Sequence, residues 1–179
     1  SCGAGSEHTL GIQSDGTLWS WGRNQYGQLG LNVSGFANYK SSPVQVDATN
    51  RWASVSTSTE ASFAIRNDGT LWSWGTNVNG LLGRNLETTA SPASSPVQVG
   101  TGTNWLMVIS AYTRVAALKT DGTMWAWGNN DNGELGLNDR VSRSSPVQVG
   151  SATDWKFIVG SGRLNNNEGL LIAKKTNNS

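Results

Sequence analysis

Cysteine is all but missing from this chain: Cys2 alone among 179 residues cannot close an internal disulfide or build a thiolate metal cluster. Histidine is represented only by His8, and no zinc-ligand spacing, Gly-rich phosphate loop or nucleophile elbow occurs anywhere. Charge of either sign is scarce. The 13 Lys plus Arg and 12 Asp plus Glu leave a net charge of +1, so no long-range field draws nucleic acid or an anionic membrane surface, and neither is expected as a partner. Apolar runs fall far short of the roughly 20 residues a spanning helix needs, and no leader pattern opens the chain, so membrane insertion is not expected. Sustained helical periodicity is absent as well.

What is abundant is placed at regular intervals. Six of the nine tryptophans fall in one motif, Asp-Gly-Thr-(Leu/Met)-Trp-(Ser/Ala)-Trp-Gly, which begins at Asp15, Asp68 and Asp121 and places two glycines in each copy. Each copy runs on into WGxNxxGxLG, from Trp21, Trp74 and Trp127. A stretch of variable sequence follows, then Ser-Ser-Pro-Val-Gln-Val from Ser41, Ser94 and Ser144, then a lone tryptophan at Trp52, Trp105 and Trp155. The third copy is shorter only within the variable stretch, which marks that stretch as a surface loop on a fixed frame. Residues common to all copies build the frame, and function is to be sought where the copies differ.

Asp-Gly is a tight-turn signal between two strand patterns, His8 to Ile12 before it and Leu18 to Trp21 after it in the first copy. Two residues apart, Trp19 and Trp21 share one face of their strand while Leu18 and Ser20 share the other, which suits a small sheet packed between neighbouring sheets. Further short strands are predicted at Val-Gln-Val and after the lone tryptophan. Four strands in about fifty residues fit a propeller blade better than a sandwich or a helical solenoid. The repeat units are expected at residues 1–51, 52–104 and 105–154, with a partial unit at 155–179, all within one domain.

In WGxNxxGxLG, in SSPVQV, in the lone tryptophan and in Gly5-Ser6-Glu7-His8-Thr9-Leu10, the sequence resembles the RCC1 repeat family over nearly its whole length. Kelch units lack these motifs and carry an adjacent-glycine pair absent here; no Trp-Asp dipeptide closes the units as in WD40. The resemblance implies an all-β, RCC1-like β-propeller of about three blades plus part of a fourth, an arc or portion of a larger ring. It also implies roles known among relatives: exchange factor for a small GTPase, chromatin binder, enzyme inhibitor. None of these transfers residue by residue. Aligning the Asp-Gly turns puts Ser1 opposite Ser54, inside a repeat. Since a buried tryptophan removes roughly 150–250 Å² from water, worth ~4–6 kcal/mol at ~25 cal/mol/Å², an open blade face is expected to be covered by further blades of the same or another chain.

Catalytic candidates are few. His8 reads as a structural histidine, and Asp15, Asp68, Asp121, Glu7 and Glu60 as frame residues; no two carboxylates are set at a separation that glycoside hydrolysis needs. Residues 129–134 have the composition of a calcium loop without its Asp-x-Asp-x-Asp-Gly spacing. No catalytic residue, metal or cofactor is therefore assigned. Because all nine tryptophans are repeat residues, sugar binding by their faces is a minor alternative. The expected function is a non-catalytic protein-interaction or assembly module that recognises a protein partner through its variable loops. The candidate contacts are Phe36, Tyr39 and Lys40 in the first loop, Arg84 and Glu87 in the second, and Arg140 and Arg143 in the third. Loops filled with Ser, Thr, Asn and Gly suit a secreted, cell-surface or virion protein. Asn32-Val33-Ser34 fits a glycosylation acceptor, relevant only on a secretory route.

Overall fold

The computed structural model describes residues 1–86 and 92–160, and the backbone of 171–175. Strand pairing follows chain order without crossovers. In the first sheet β1 (Cys2–Ala4), β2 (His8–Ile12), β3 (Leu18–Gly22) and β4 (Lys40–Val46) form an antiparallel meander. The second repeats it with β5 (Trp52–Thr57), β6 (Ala61–Arg66), β7 (Leu71–Gly75) and β8 (Ala93–Gln98). The third does so with β9 (Trp105–Ala111), β10 (Arg114–Lys119), β11 (Met124–Gly128) and β12 (Arg143–Gln148). A fourth sheet consists of β13 (Trp155–Gly160) and β14 (Leu171–Lys175). The strands β1, β5, β9 and β13 pack on one another in succession and form the inner end of each sheet, leaving β4, β8 and β12 outermost. These are three propeller blades and part of a fourth. The outermost strands each carry a proline, Pro43, Pro96 and Pro146, which removes an amide from an exposed edge.

Alternation decides which side chains meet between blades. Leu10 and Leu18 of blade one meet Trp52, Ala64 and Trp74 of blade two in one buried cluster; Phe63 and Ile65 of blade two meet Val108, Val115, Ala117 and Trp127 of blade three in the next. Trp74 and Trp127 are fully buried, and each donates its indole N–H to the preceding blade, to the Gln28 carbonyl at 2.9 Å and to the Leu81 carbonyl at 2.8 Å. Those carbonyls belong to the WGxNxxGxLG turns. The indole is thus anchored to the turn one blade back, which satisfies its polar end in a dry interface.

The Asp-Gly turns are held the same way in all three blades. Asp15 accepts from the Thr17 amide and hydroxyl, and Thr17 Oγ1 accepts from Trp19 Nε1; Asp68, Thr70 and Trp72 repeat this, as do Asp121, Thr123 and Trp125. The backbone carbonyls of Gly16, Gly69 and Gly122 then accept the amides of Trp52, Trp105 and Trp155 that open the following blades. Cations sit over two of these lone tryptophans: the Arg66 guanidinium lies 4.8 Å from the Trp52 ring and 3.5 Å from Trp72, and Lys119 Nζ lies 4.8 Å from Trp105 and 4.1 Å from Trp125. One end of each blade is therefore committed to holding neighbours together.

Candidate functional site

At the opposite end of the blades the chain leaves β3, β7 and β11 through the glycine-rich turns. Gly22 has φ +104°, and a Cβ there would lie 2.4 Å from the Glu7 carbonyl oxygen, so only glycine allows the approach that lets the Arg23 amide donate to that oxygen. Buried asparagines close the turns: Asn24, Asn77 and Asn130 accept through Oδ1 the amides of Leu29, Leu82 and Leu135 at 2.9–3.0 Å. The variable segment then leans on the next blade, with the Asn32 amide donating to the Ser94 carbonyl and the Asn85 amide to the Ser144 carbonyl, each at 2.7 Å. Pinned at both ends, the residues between are carried outward. They form a rim along one end of the arc.

Six of the ten large apolar side chains exposed among the described residues lie on this rim. Phe36 is 70% exposed, Val141 61%, Val78 48%, Leu86 43%, Val33 41% and Tyr39 39%. Phe36 opens a single 3-10 turn, Phe36–Asn38, and its ring lies 5.9 Å from that of Tyr39, tilted by 38°. With Glu7, Arg23 and Lys40 the pair borders an open groove of about 630 Å³. Charges near it are answered internally: Arg23 bonds Glu7 and Gln25 and lies 3.8 Å from Glu60, which raises the Arg23 pKa chiefly through the Glu7 bond. Burial pushes Glu60 up, against the pull of Arg23. In blade three Arg114 pairs with Glu134 at 2.8 Å, and Arg143 with Asp139. The groove presents aromatic surface inside a nearly balanced set of charges.

Phe36, Tyr39 and Lys40 are thus brought to one groove. Arg84 stands apart on the second blade's loop, half-buried, with burial lowering its pKa; Arg140 is exposed on the third, and Arg143 is tied to Asp139 at the start of β12. Glu87 lies outside the described residues. Sequence reasoning passed over Val78, at a variable position of the repeated turn, and over Val33, Leu86 and Val141, although apolar residues in otherwise polar, non-repeating segments are the signal that finds the last three. It passed over the Glu7–Arg23–Glu60 cluster too, because two of its members look like frame residues. His8 is buried: its Nε2 bonds Ser62 Oγ of blade two at 2.9 Å, Ser62 Oγ donates to the Gln28 carbonyl at 2.8 Å, and burial lowers the imidazole pKa to about 4. Because the hydroxyl proton is spent on Gln28, the imidazole must donate through Nε2, which makes His8 a clamp between blades. In the 129–134 segment the Glu134 carboxylate is taken by Arg114 and by the Asn132 amide. Among the described residues no group of three or more His, Cys, Asp and Glu is placed to hold a metal, and no helix is long and apolar enough to cross a membrane.

Comparison with known proteins places this frame. The family model described as Regulator of chromosome condensation (RCC1) repeat matches residues 15–65 and 121–160. The chain belongs to the RCC1 repeat family. It is 31% identical over 146 residues to the Ultraviolet-B receptor UVR8 of Arabidopsis thaliana, covering 80% of this chain and 32% of that relative. Against the E3 ubiquitin-protein ligase HERC2 of Homo sapiens it is 28% identical over 140 residues, 76% of this chain and 3% of the relative. Its fold superimposes on yeast RCC1 (Prp20), solved bound to Kap60, with a TM-score of 0.80 at 19% identity, covering 99% of this chain and 42% of that one. The chain spans less than half the length of these relatives.

Proposed function

We propose that this chain is a non-catalytic protein-interaction module that engages a protein partner through the loop rim, with the Phe36–Tyr39 pair as its anchor. The carrying observation is that the most exposed large apolar side chain, Phe36, stands with Tyr39 on a loop that varies between repeats, and that Val33, Leu86 and Val141 are exposed on such loops too, while the repeated tryptophans are spent on the frame. Aromatic rings supply contact area at small entropic cost, and a surrounding set of compensated charges excludes water without demanding a strongly charged partner. Lys40 at the groove, and Arg84, Arg140 and Arg143 on the neighbouring loops, contribute orientation at its margins. That yeast RCC1 was solved bound to another protein is in keeping with this reading.

The test is affinity enrichment from the source cells followed by binding measurements on the purified partner. Phe36→Ala with Tyr39→Ala, both exposed, should leave far-UV circular dichroism and melting unchanged while weakening binding by about 30-fold or more, as loss of a ~2 kcal/mol hot spot implies. Partner binding that is indifferent to both substitutions overturns the assignment of the rim.

A further inference from the structure

Lys40, which borders the groove of Phe36 and Tyr39, also borders a second groove of about 620 Å³, with Val33, Val44 and Pro96 of blade two in its walls. This second groove is lined by residues of β4 from Lys40 onward and by Asp47 just beyond it, a stretch of about 20 Å at ~3.3 Å per residue, the length of about six extended residues. Charge along the two grooves is matched except at one point. Arg23 pairs with Glu7 in the first, and Arg66 with Asp47 at 3.0 Å in the second; Glu60, 3.8 Å from Arg23, lines neither. Lys40, common to both, makes no ion pair among the described residues. The frame does not require this cation. Strand register sets Lys40 opposite Gly22, and sets Ala93 opposite Gly75 and Arg143 opposite Gly128. One copy thus has a methyl group at the position, and another a guanidinium already taken by Asp139. Among the described residues only blade one leaves the cation unanswered, and there it stands beside two aromatic side chains.

We infer that the two grooves together take an extended segment of a protein partner in which a carboxylate is flanked by apolar residues. The carboxylate meets the Lys40 ammonium, one apolar neighbour rests on Phe36 and Tyr39, and another lies in the second groove against Val33. This rests on the rim being a protein-binding surface and specifies what the partner brings to it. Three cations, Arg23, Lys40 and Arg66, face two carboxylates, Glu7 and Asp47, so a single Asp or Glu completes the charge balance. A purely apolar segment would cover the Lys40 ammonium without replacing its water, which costs binding and selects against such a segment. Pro43 removes an amide from the middle of β4, so recognition falls to side chains rather than to an added strand.

The probe is a random peptide library displayed on phage and panned against the immobilised full chain, followed by calorimetry with the synthetic peptides it returns. Retained sequences are expected to hold an Asp or Glu between apolar residues. Lys40→Ala, which installs the side chain that Ala93 supplies in blade two, should weaken their binding by about 10-fold with unchanged circular dichroism. Replacing the peptide's carboxylate by an amide should cost the same factor, and the two changes together no more than either alone. Val33→Ser, at an exposed position of the second groove, should weaken binding by about 3-fold or more. Retained sequences without a carboxylate, or equal affinity for Lys40→Ala, overturn the inference. A peptide indifferent to Val33→Ser overturns its course through both grooves. A library from which nothing is retained beyond the level of a Phe36→Ala/Tyr39→Ala control chain overturns it as well. The rim reading fails separately, when the natural partner itself ignores the loss of Phe36 and Tyr39.

Discussion

His8 shows how one side chain can give a repeat an identity of its own. The equivalent positions are Ala61 and Arg114, so only the first interblade contact depends on a neutral, buried imidazole. Its pKa falls from 6.5 to about 4 on burial, which means that between these values the unfolded chain binds a proton that the folded chain refuses. The sign follows directly: the contribution is complete above about 6.5, is lost as the pH falls toward 4, and changes no further below that. It amounts to roughly 3 kcal/mol at most. Urea unfolding at pH 7.5 and pH 4.5 should therefore show a drop in stability that His8→Gln largely removes, since glutamine cannot titrate. The turn carboxylates Asp15, Asp68 and Asp121, held low by their bonds to the following threonines, act only at still lower pH. None of this was legible in the sequence beyond a structural role for His8, because its partner Ser62 is 54 residues away.

Strands and turns were far more legible. Period-two alternation about Asp-Gly located β2 and β3 and their counterparts, since a tryptophan pair two residues apart and a turn that demands positive φ are local facts. What escaped was the purpose of the last glycine in WGxNxxGxLG. Gly83 and Gly136 share a left-handed backbone, φ +68° and +69°, yet a Cβ at Gly83 would lie 2.7 Å from Trp127 Nε1, whereas at Gly136 it would meet only Val149 Cγ1 at 3.5 Å. The first glycine seats the next blade's indole; the second has no such guest among the described residues. Substitution by alanine should separate the two effects: about 1 kcal/mol at Gly136 from backbone strain alone, and on the order of 3 kcal/mol or more at Gly83, where the Trp127 bond to Leu81 is displaced as well. Thermal melts of the two variants measure the difference. The loops, by contrast, were legible only as loops: nothing local states that Phe36 turns outward while Leu29, seven residues earlier, is fully buried.

For the molecule as a whole, each blade touches only its neighbours, so stability is a sum of blades and the interfaces between them. Among the described residues blade two has a four-stranded blade on either side, blade one has one on a single side and blade three has two strands beyond it. Hydrogen exchange should then be slowest in β6 and β7, with β2 and β3 exchanging sooner; equal protection along the chain would mean that the arc opens as one unit. The proline in each outermost strand bears on what happens when such molecules crowd. Pro43, Pro96 and Pro146 deny a visiting backbone the unbroken row of amides on which a fibril grows, so lateral stacking of sheets is discouraged at the perimeter, and a loop of new sequence grafted onto the rim can be presented without seeding aggregates.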